Sequence, residues 1–187
     1  MMGAFICLGW GSLIWCQKTL PVSGAWQADG PDLPLEFARE SRDRRITLVI
    51  CEGAPTVTTL WARLNVSSLD AAKQALASRE GVTAGNVKYS IGAWSPAGAT
   101  DHHGAVTIGE WASGRDIAGV VWTALKPKIG NDYRVPTQEE VTSHLRGLQG
   151  LERDVAEEYV RLAPRQIVTP YRVAIEGTLG WTASGLV

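Results

Sequence analysis

Phe5-Ile6-Cys7-Leu8-Gly9-Trp10-Gly11-Ser12-Leu13-Ile14-Trp15 runs from an apolar, strand-like opening into two glycines and a serine, and then turns apolar again. Glycine weakens a strand unless its bare backbone is needed. The chain therefore either bends sharply at Gly9 and Gly11 or is approached closely there by another group. The residues before the glycines, Ala4 to Leu8, read as a first buried strand. They are too few to span a bilayer and lack the basic leader of a signal peptide.

Working outward, further strand-like runs rich in Val, Ile, Thr, Trp and Leu appear at Ile46 to Cys51, Thr56 to Val66, Ile117 to Leu125 and Tyr171 to Leu179. Three helices are predicted. The first starts at a Ser67 or Ser68 cap, carries Leu69, Ala72 and Leu76 on one face, and ends at Glu80-Gly81, where glycine suits a helix exit. The second follows Pro136 with a capping box in Thr137-Gln138-Glu139-Glu140 and an apolar stripe of Val141, Leu145 and Leu148. Gly150 separates it from the third, Leu151 to Leu162, which Pro164 stops. Gly85 to Gly114 is rich in Gly, Ala and Ser and reads as loops with a short hairpin. Strands outnumber helices and do not alternate with them, which excludes a regular doubly wound sheet. The expected fold is mixed α/β (α+β): a curled mixed β-sheet or small β-barrel with helices packed outside, as a single domain over residues 1–187.

Composition narrows the function. Of 187 residues, 45% are hydrophobic and 20% charged, as in ordinary globular proteins. The formal net charge of −1 gives no electrostatic reason to bind nucleic acid or an anionic membrane, so a small-molecule partner is expected, with oligomeric state open. Three dispersed cysteines, Cys7, Cys16 and Cys51, suggest neither a disulfide framework nor a C-x-x-C site, and fit a reducing cytoplasm.

Gly9-x-Gly11 lacks the third glycine of a dinucleotide fingerprint, since Ile14 stands there. Ser12 lacks the flanking glycines of a nucleophile elbow. Asp101-His102-His103 offers adjacent ligands without a spaced third, so no metal is expected. The run Arg39 to Arg45 is basic enough to hold a phosphate or carboxylate, with Arg39 the candidate for the substrate, although its interleaved acids suit a solvated turn between strands. Glu80 differs in kind. It stands at the C-terminal end of a helix, where the macrodipole disfavours a second negative charge, so a desolvated carboxylate there readily takes up a proton. Arg79 would oppose this if it turned the same way, although neighbours on a helix diverge by about 100°. On the dipole argument alone, removing the Glu80 charge leaves stability unchanged or slightly raised.

Two motifs carry a resemblance. Gly9-Trp10-Gly11-Ser12-Leu13-Ile14-Trp15 resembles the G-Y-G-S-L-I-W opening of the ChaC-type γ-glutamylcyclotransferases, in a superfamily that shares the Y-G-S core. Leu76-Ala77-Ser78-Arg79-Glu80-Gly81-Val82-Thr83-Ala84-Gly85 is similar to that family's L-x-x-R-E-M-V-T-G-G segment, whose glutamate is the catalytic acid/base. Weaker echoes lie in Val121 to Leu125 and Pro136 to Leu145. The chain departs from the pattern at Trp10, in place of the tyrosine, at Gly81, in place of the methionine, and at Cys16-Gln17, in place of a lysine-proline pair. Leu35 to Ser41 is not the family's second strand. The resemblance implies a γ-glutamylcyclotransferase-like fold and a cofactor-independent lyase or transferase of glutathione-type metabolism. Such an enzyme would release 5-oxoproline from a γ-glutamyl amide or peptide. Glu80 would be catalytic, and Gly9, Trp10, Gly11, Ser12 and Leu13 would bind substrate, with Arg39 a further substrate-binding candidate on its charge. The alternatives are a non-catalytic module that kept the pocket and a γ-glutamyl amide hydrolase.

Overall fold

The computed structural model of the protein describes residues 3–185. The chain is mixed α/β and forms two compact units. The first contains β1 (Ala4–Gly9), Leu13–Leu33 and Thr58–Leu125; the second contains Trp10–Ser12, Pro34–Val57 and the chain from Lys126 onward.

The first unit is built on an open six-stranded sheet. With β2 (Val22–Gln27), β6 (Leu60–Leu64), β7 (Ile91–Ser95), β8 (Gly98–Ala99) and β9 (Ile117–Thr123), the strand order is β2-β6-β1-β9-β7-β8. β1 is interior, antiparallel to β6 (Cys7 opposite Ala62) and parallel to β9 (Cys7 opposite Val121). Ile6, Cys7 and Leu8 are all fully buried, so both faces of the strand are covered, which explains its unbroken apolar run. On one face lies α1 (Leu69–Glu80). Its Ala72, Leu76 and Ala77 join Cys7, Leu13, Ile91, Ala93 and Val121 in a single apolar cluster. Ser68 caps α1 through a bond from Ala71 N–H, and Gly81 ends it in the left-handed region at φ 66°, where its N–H reaches back to the last carbonyls.

The second unit holds a three-stranded sheet, β4-β3-β5, from β3 (Asp32–Glu40), β4 (Ile46–Ile50) and β5 (Thr56–Thr58). Arg42, Asp43 and Arg44 form the exposed part of the turn between β3 and β4, as their interleaved charges predicted. Here too lie α4 (Gln138–Gly147), α5 (Gly150–Leu162) and α6 (Pro170–Leu179). The Thr137–Glu140 capping box forms as expected.

Neither sheet closes, so the barrel expectation is corrected to two open sheets. Tyr171 to Leu179 is α6 and not a strand. Its Tyr-x-Val-x-Ile alternation imitates a strand, but Thr169 caps it, Pro170 opens it and Gly180 closes it, and these signals decide a helix. Within Gly85 to Gly114 the hairpin β7–β8 is present, but so are α2 (Val87–Ser90) and α3 (Ala105–Ala112), and β7 lies inside the sheet. Two of the glycines that made this stretch look loop-like are packing sites for tryptophans. Gly92 lies against the Trp122 ring, and a Cβ at Gly109 would meet Trp94 Nε1 at 2.6 Å. β2 and β3 were not anticipated. β2 is a mostly exposed edge with Gly24 at φ 84°, and β3 carries Pro34, which argues against a strand.

A buried carboxylate anchors α6. Glu36, 3% exposed, accepts from Phe37 N–H (2.8 Å), from the Thr169 hydroxyl and from Tyr171 N–H (3.3 Å). Burial raises its carboxyl above the ordinary 4.5, against the lowering influence of those three donors. The folded protein thus holds the Glu36 proton more tightly than the unfolded chain. Its contribution to stability is full below the ordinary 4.5 and is lost as pH rises through the folded value. Glu36→Gln is therefore expected to flatten part of the fall in melting temperature between mildly acidic and neutral pH. Parallel slopes for variant and wild type would refute this.

Candidate active site

In the first unit, Glu80 is the last residue of α1 and its side chain is 18% exposed. Arg79, at 6%, is more deeply buried. Although adjacent helical residues diverge, the long arginine folds over. Its Nη1 donates to Glu80 Oε1 at 2.6 Å and its Nη2 to the Cys16 carbonyl at 2.6 Å. The second bond supplies the physical reason for the first: a guanidinium presents donors in a rigid fork, and anchoring one arm on Cys16 aims the other at Glu80. The end of α1 is thereby tied to the segment that follows Gly11-Ser12-Leu13. Leu13 itself is buried in the same cluster as Leu76 and Ala77. The Cys7 thiol is also near this pair. Burial pushes it well above its ordinary 9.0, Glu80 adds to the rise and Arg79 opposes it, so Cys7 is a neutral thiol.

Gly9 ends β1, and a Cβ there would stand 2.6 Å from the Trp26 ring. The bare backbone makes room for that tryptophan, in the first unit.

Trp10, Gly11 and Ser12 belong to the second unit. A Cβ at Gly11 would collide with the Tyr159 hydroxyl. That hydroxyl accepts from Leu48 N–H at 3.2 Å, and Trp10 Nε1–H donates to the Leu48 carbonyl at 3.2 Å. Trp10 is only 3% exposed, so its indole braces β4. Both glycines of the opening motif therefore accommodate aromatic side chains of the protein itself. Gly11→Ala is expected to cost about 1–3 kcal/mol through overpacking, and Tyr159→Phe in the same chain should recover part of it. Melting temperatures of the two single variants and the double variant test this, and strict additivity would count against it.

Ser12 begins the turn that leads from Gly11 to Trp15. Arg39, on β3, donates from Nη1 to the Lys126 carbonyl at 2.6 Å, and burial lowers its basicity from the ordinary value. His102 of the Asp101-His102-His103 run engages the Thr100 hydroxyl through Nδ1 at 2.9 Å. Among the described residues no group of three or more His, Cys, Asp or Glu is placed to hold a metal ion, and no helix is long and apolar enough to cross a membrane.

Two contributors had little signal in the sequence. Tyr159 lies on α5 at a helical position like any other, and its role beside Gly11 follows from tertiary packing. The Arg79–Glu80 pair was visible as neighbours, but its geometry depends on Cys16.

No family model matches the chain, and neither a curated protein nor a solved structure matches it significantly.

Proposed function

We propose that the protein is a cofactor-independent γ-glutamyl cyclotransferase with Glu80 as its acid/base. The observation that carries this reading is the Arg79 tie. The carboxylate of the second motif, at the end of α1, and the chain continuing from the first motif, at Cys16, are held to one guanidinium. Arg79 thus ties the carboxylate of the second motif to Cys16, the residue that directly follows the first motif.

The chemistry asks little of the protein in covalent terms. The α-nitrogen of a γ-glutamyl group attacks its own γ-carbonyl, the new C–N bond closes 5-oxoproline and the amide C–N bond to the leaving amine breaks. Nucleophile and electrophile are tethered, so holding the reactive conformer removes much of the barrier, and a serine or cysteine nucleophile is not required. The α-ammonium must first lose a proton, and the departing nitrogen must gain one. Glu80 accepts the first proton and delivers it to the second site. The resemblance would assign the glutamyl carboxylate, or the oxygen that becomes negative during closure, to the backbone N–H groups of Gly11, Ser12 and Leu13. Arg39 is a further candidate for the carboxylate.

The test is product analysis. Incubation with γ-glutamyl amines and γ-glutamyl dipeptides should release 5-oxoproline and the free amine. Release of glutamate would identify a hydrolase. Binding without any product would identify a non-catalytic module, and either result overturns the proposal.

A further inference from the structure

An arginine whose side chain is only 6% exposed, at the end of a helix, calls for an explanation. Lys and Arg are almost never fully buried unless paired, and removing a guanidinium from water is costly unless its donors find good acceptors. The end of α1 favours a cation, but an exposed side chain there would gain the same effect without desolvation. Arg79 is instead drawn inward and donates to acceptors on different elements, among them the Cys16 carbonyl and Glu80 Oε1, each at 2.6 Å. The pair is more buried on the arginine side than on the glutamate side, 6% against 18%. The carboxylate is therefore the partner that faces outward, and the guanidinium lies behind it.

We propose that Arg79 is the positioning residue of Glu80, an inference that rests on the cyclotransferase reading. By occupying Oε1 from behind, it directs proton traffic to Oε2, to which no hydrogen bond is directed among the described residues. By grasping Cys16 it holds the base in fixed register with the segment that continues from the glycine turn. Lysine cannot substitute. An ammonium is a compact charge on a flexible stem, without the planar fork that spans two acceptors in fixed directions. Arg79 touches neither reacting nitrogen in this account, and its effect is exerted entirely through Glu80.

The experiment compares the full-length wild type with Arg79→Lys and Arg79→Gln, using γ-glutamyl-alanine and γ-glutamyl p-nitroanilide as probes and circular dichroism to confirm folding. Two readings are taken: 5-oxoproline release as a function of pH, and labelling of Glu80 by a water-soluble carbodiimide, read by mass spectrometry. The expected result is a fall in kcat of roughly ten- to thousand-fold in both variants with KM changed less than about threefold. In Arg79→Gln the acid limb of the rate profile should move to higher pH and carbodiimide labelling should rise several-fold at pH 6, since that variant removes the cation, whereas Arg79→Lys keeps the charge and loses the fork. These ranges follow the scale of misplacing a general base. A folded Arg79→Lys that keeps the wild-type kcat and acid limb overturns the inference while leaving the cyclotransferase reading intact. So does an Arg79→Gln with a lower rate but an unmoved acid limb and unchanged labelling, which marks a structural role only. If the wild type makes no 5-oxoproline from either probe, the functional reading fails by itself, and labelling still decides the pair: equal labelling in all three proteins overturns the inference too.

Discussion

Glu80→Gln is expected to lower 5-oxoproline formation by roughly a hundred- to ten-thousand-fold, the range general acid–base catalysis contributes. Glutamine keeps the size and shape of the side chain, and its amide oxygen still accepts from Arg79 Nη1, but it cannot carry a proton between the α-amine and the leaving nitrogen at neutral pH. Affinity for a γ-glutamyl ligand should change little if the backbone at Gly11 holds the glutamyl end. The stability expectation differs from the one drawn from the helix dipole alone. Relief of the unfavourable dipole contact is worth about 1 kcal/mol at most. Glu80 also neutralises an arginine whose side chain is only 6% exposed, and weakening a hydrogen bond to a buried charge costs about 1–3 kcal/mol. The pairing wins, so the variant should melt somewhat below the wild type. Calorimetry with steady-state kinetics on the same preparation measures both effects. A folded variant with wild-type turnover would place the proton on another residue.

Arg172→Met is expected to produce the largest loss of stability, about 3–5 kcal/mol. Arg172 is 2% exposed and each of its five N–H donors has an acceptor. Nη1 donates to the carbonyls of Pro164 (2.6 Å) and Ile167 (2.8 Å), Nη2 to those of Val160 (3.4 Å) and Ala163 (2.9 Å), and Nε to Glu176 Oε1 (3.1 Å). Val160 and Ala163 lie at the end of α5, where carbonyls lack intrahelical partners and the dipole is negative. One guanidinium thus closes α5, holds the connection to α6 and pairs within α6. Burial lowers its basicity and Glu176 opposes that. Methionine fills similar volume but leaves four carbonyls and a carboxylate without this donor. For a chain of this size each kcal/mol is worth about 2–4 °C, so the melting temperature should fall by roughly 6–20 °C, with Arg172→Lys intermediate. A change below about 2 °C would show that water replaces the guanidinium.

The elements read correctly from the sequence are those whose local chemistry is decisive. Ser68 and Gly81 bracket α1, Thr137 and Glu140 box the start of α4, and Ile6-Cys7-Leu8 needs cover on both faces. The misread elements are those where local signals conflict. In α6 the alternation of Tyr171, Val173 and Ile175 competes with the Thr169-Pro170 start, and Arg172, which looks like an outward polar residue in a strand pattern, is among the most buried residues of the second unit. Between Gly85 and Gly114, Gly92 and Gly109, which signal loops, are instead the spaces into which Trp122 and Trp94 fit. Such pairings join positions far apart in the chain and leave no periodic trace.

The sequence by itself determined the open-ended elements and the candidates: a buried first strand running into Gly9-Trp10-Gly11-Ser12, and a capped helix ending in Arg79-Glu80. These follow from short-range preferences that act whatever the rest of the chain does. Only the tertiary structure decided that Gly9 and Gly11 yield space to Trp26 and Tyr159, that the Trp10 indole braces Leu48, and that Arg79 reaches back to Glu80 because Cys16 holds its other arm. Each of these depends on which groups compete for one buried volume or one buried donor, and that competition exists only after distant segments have been brought together.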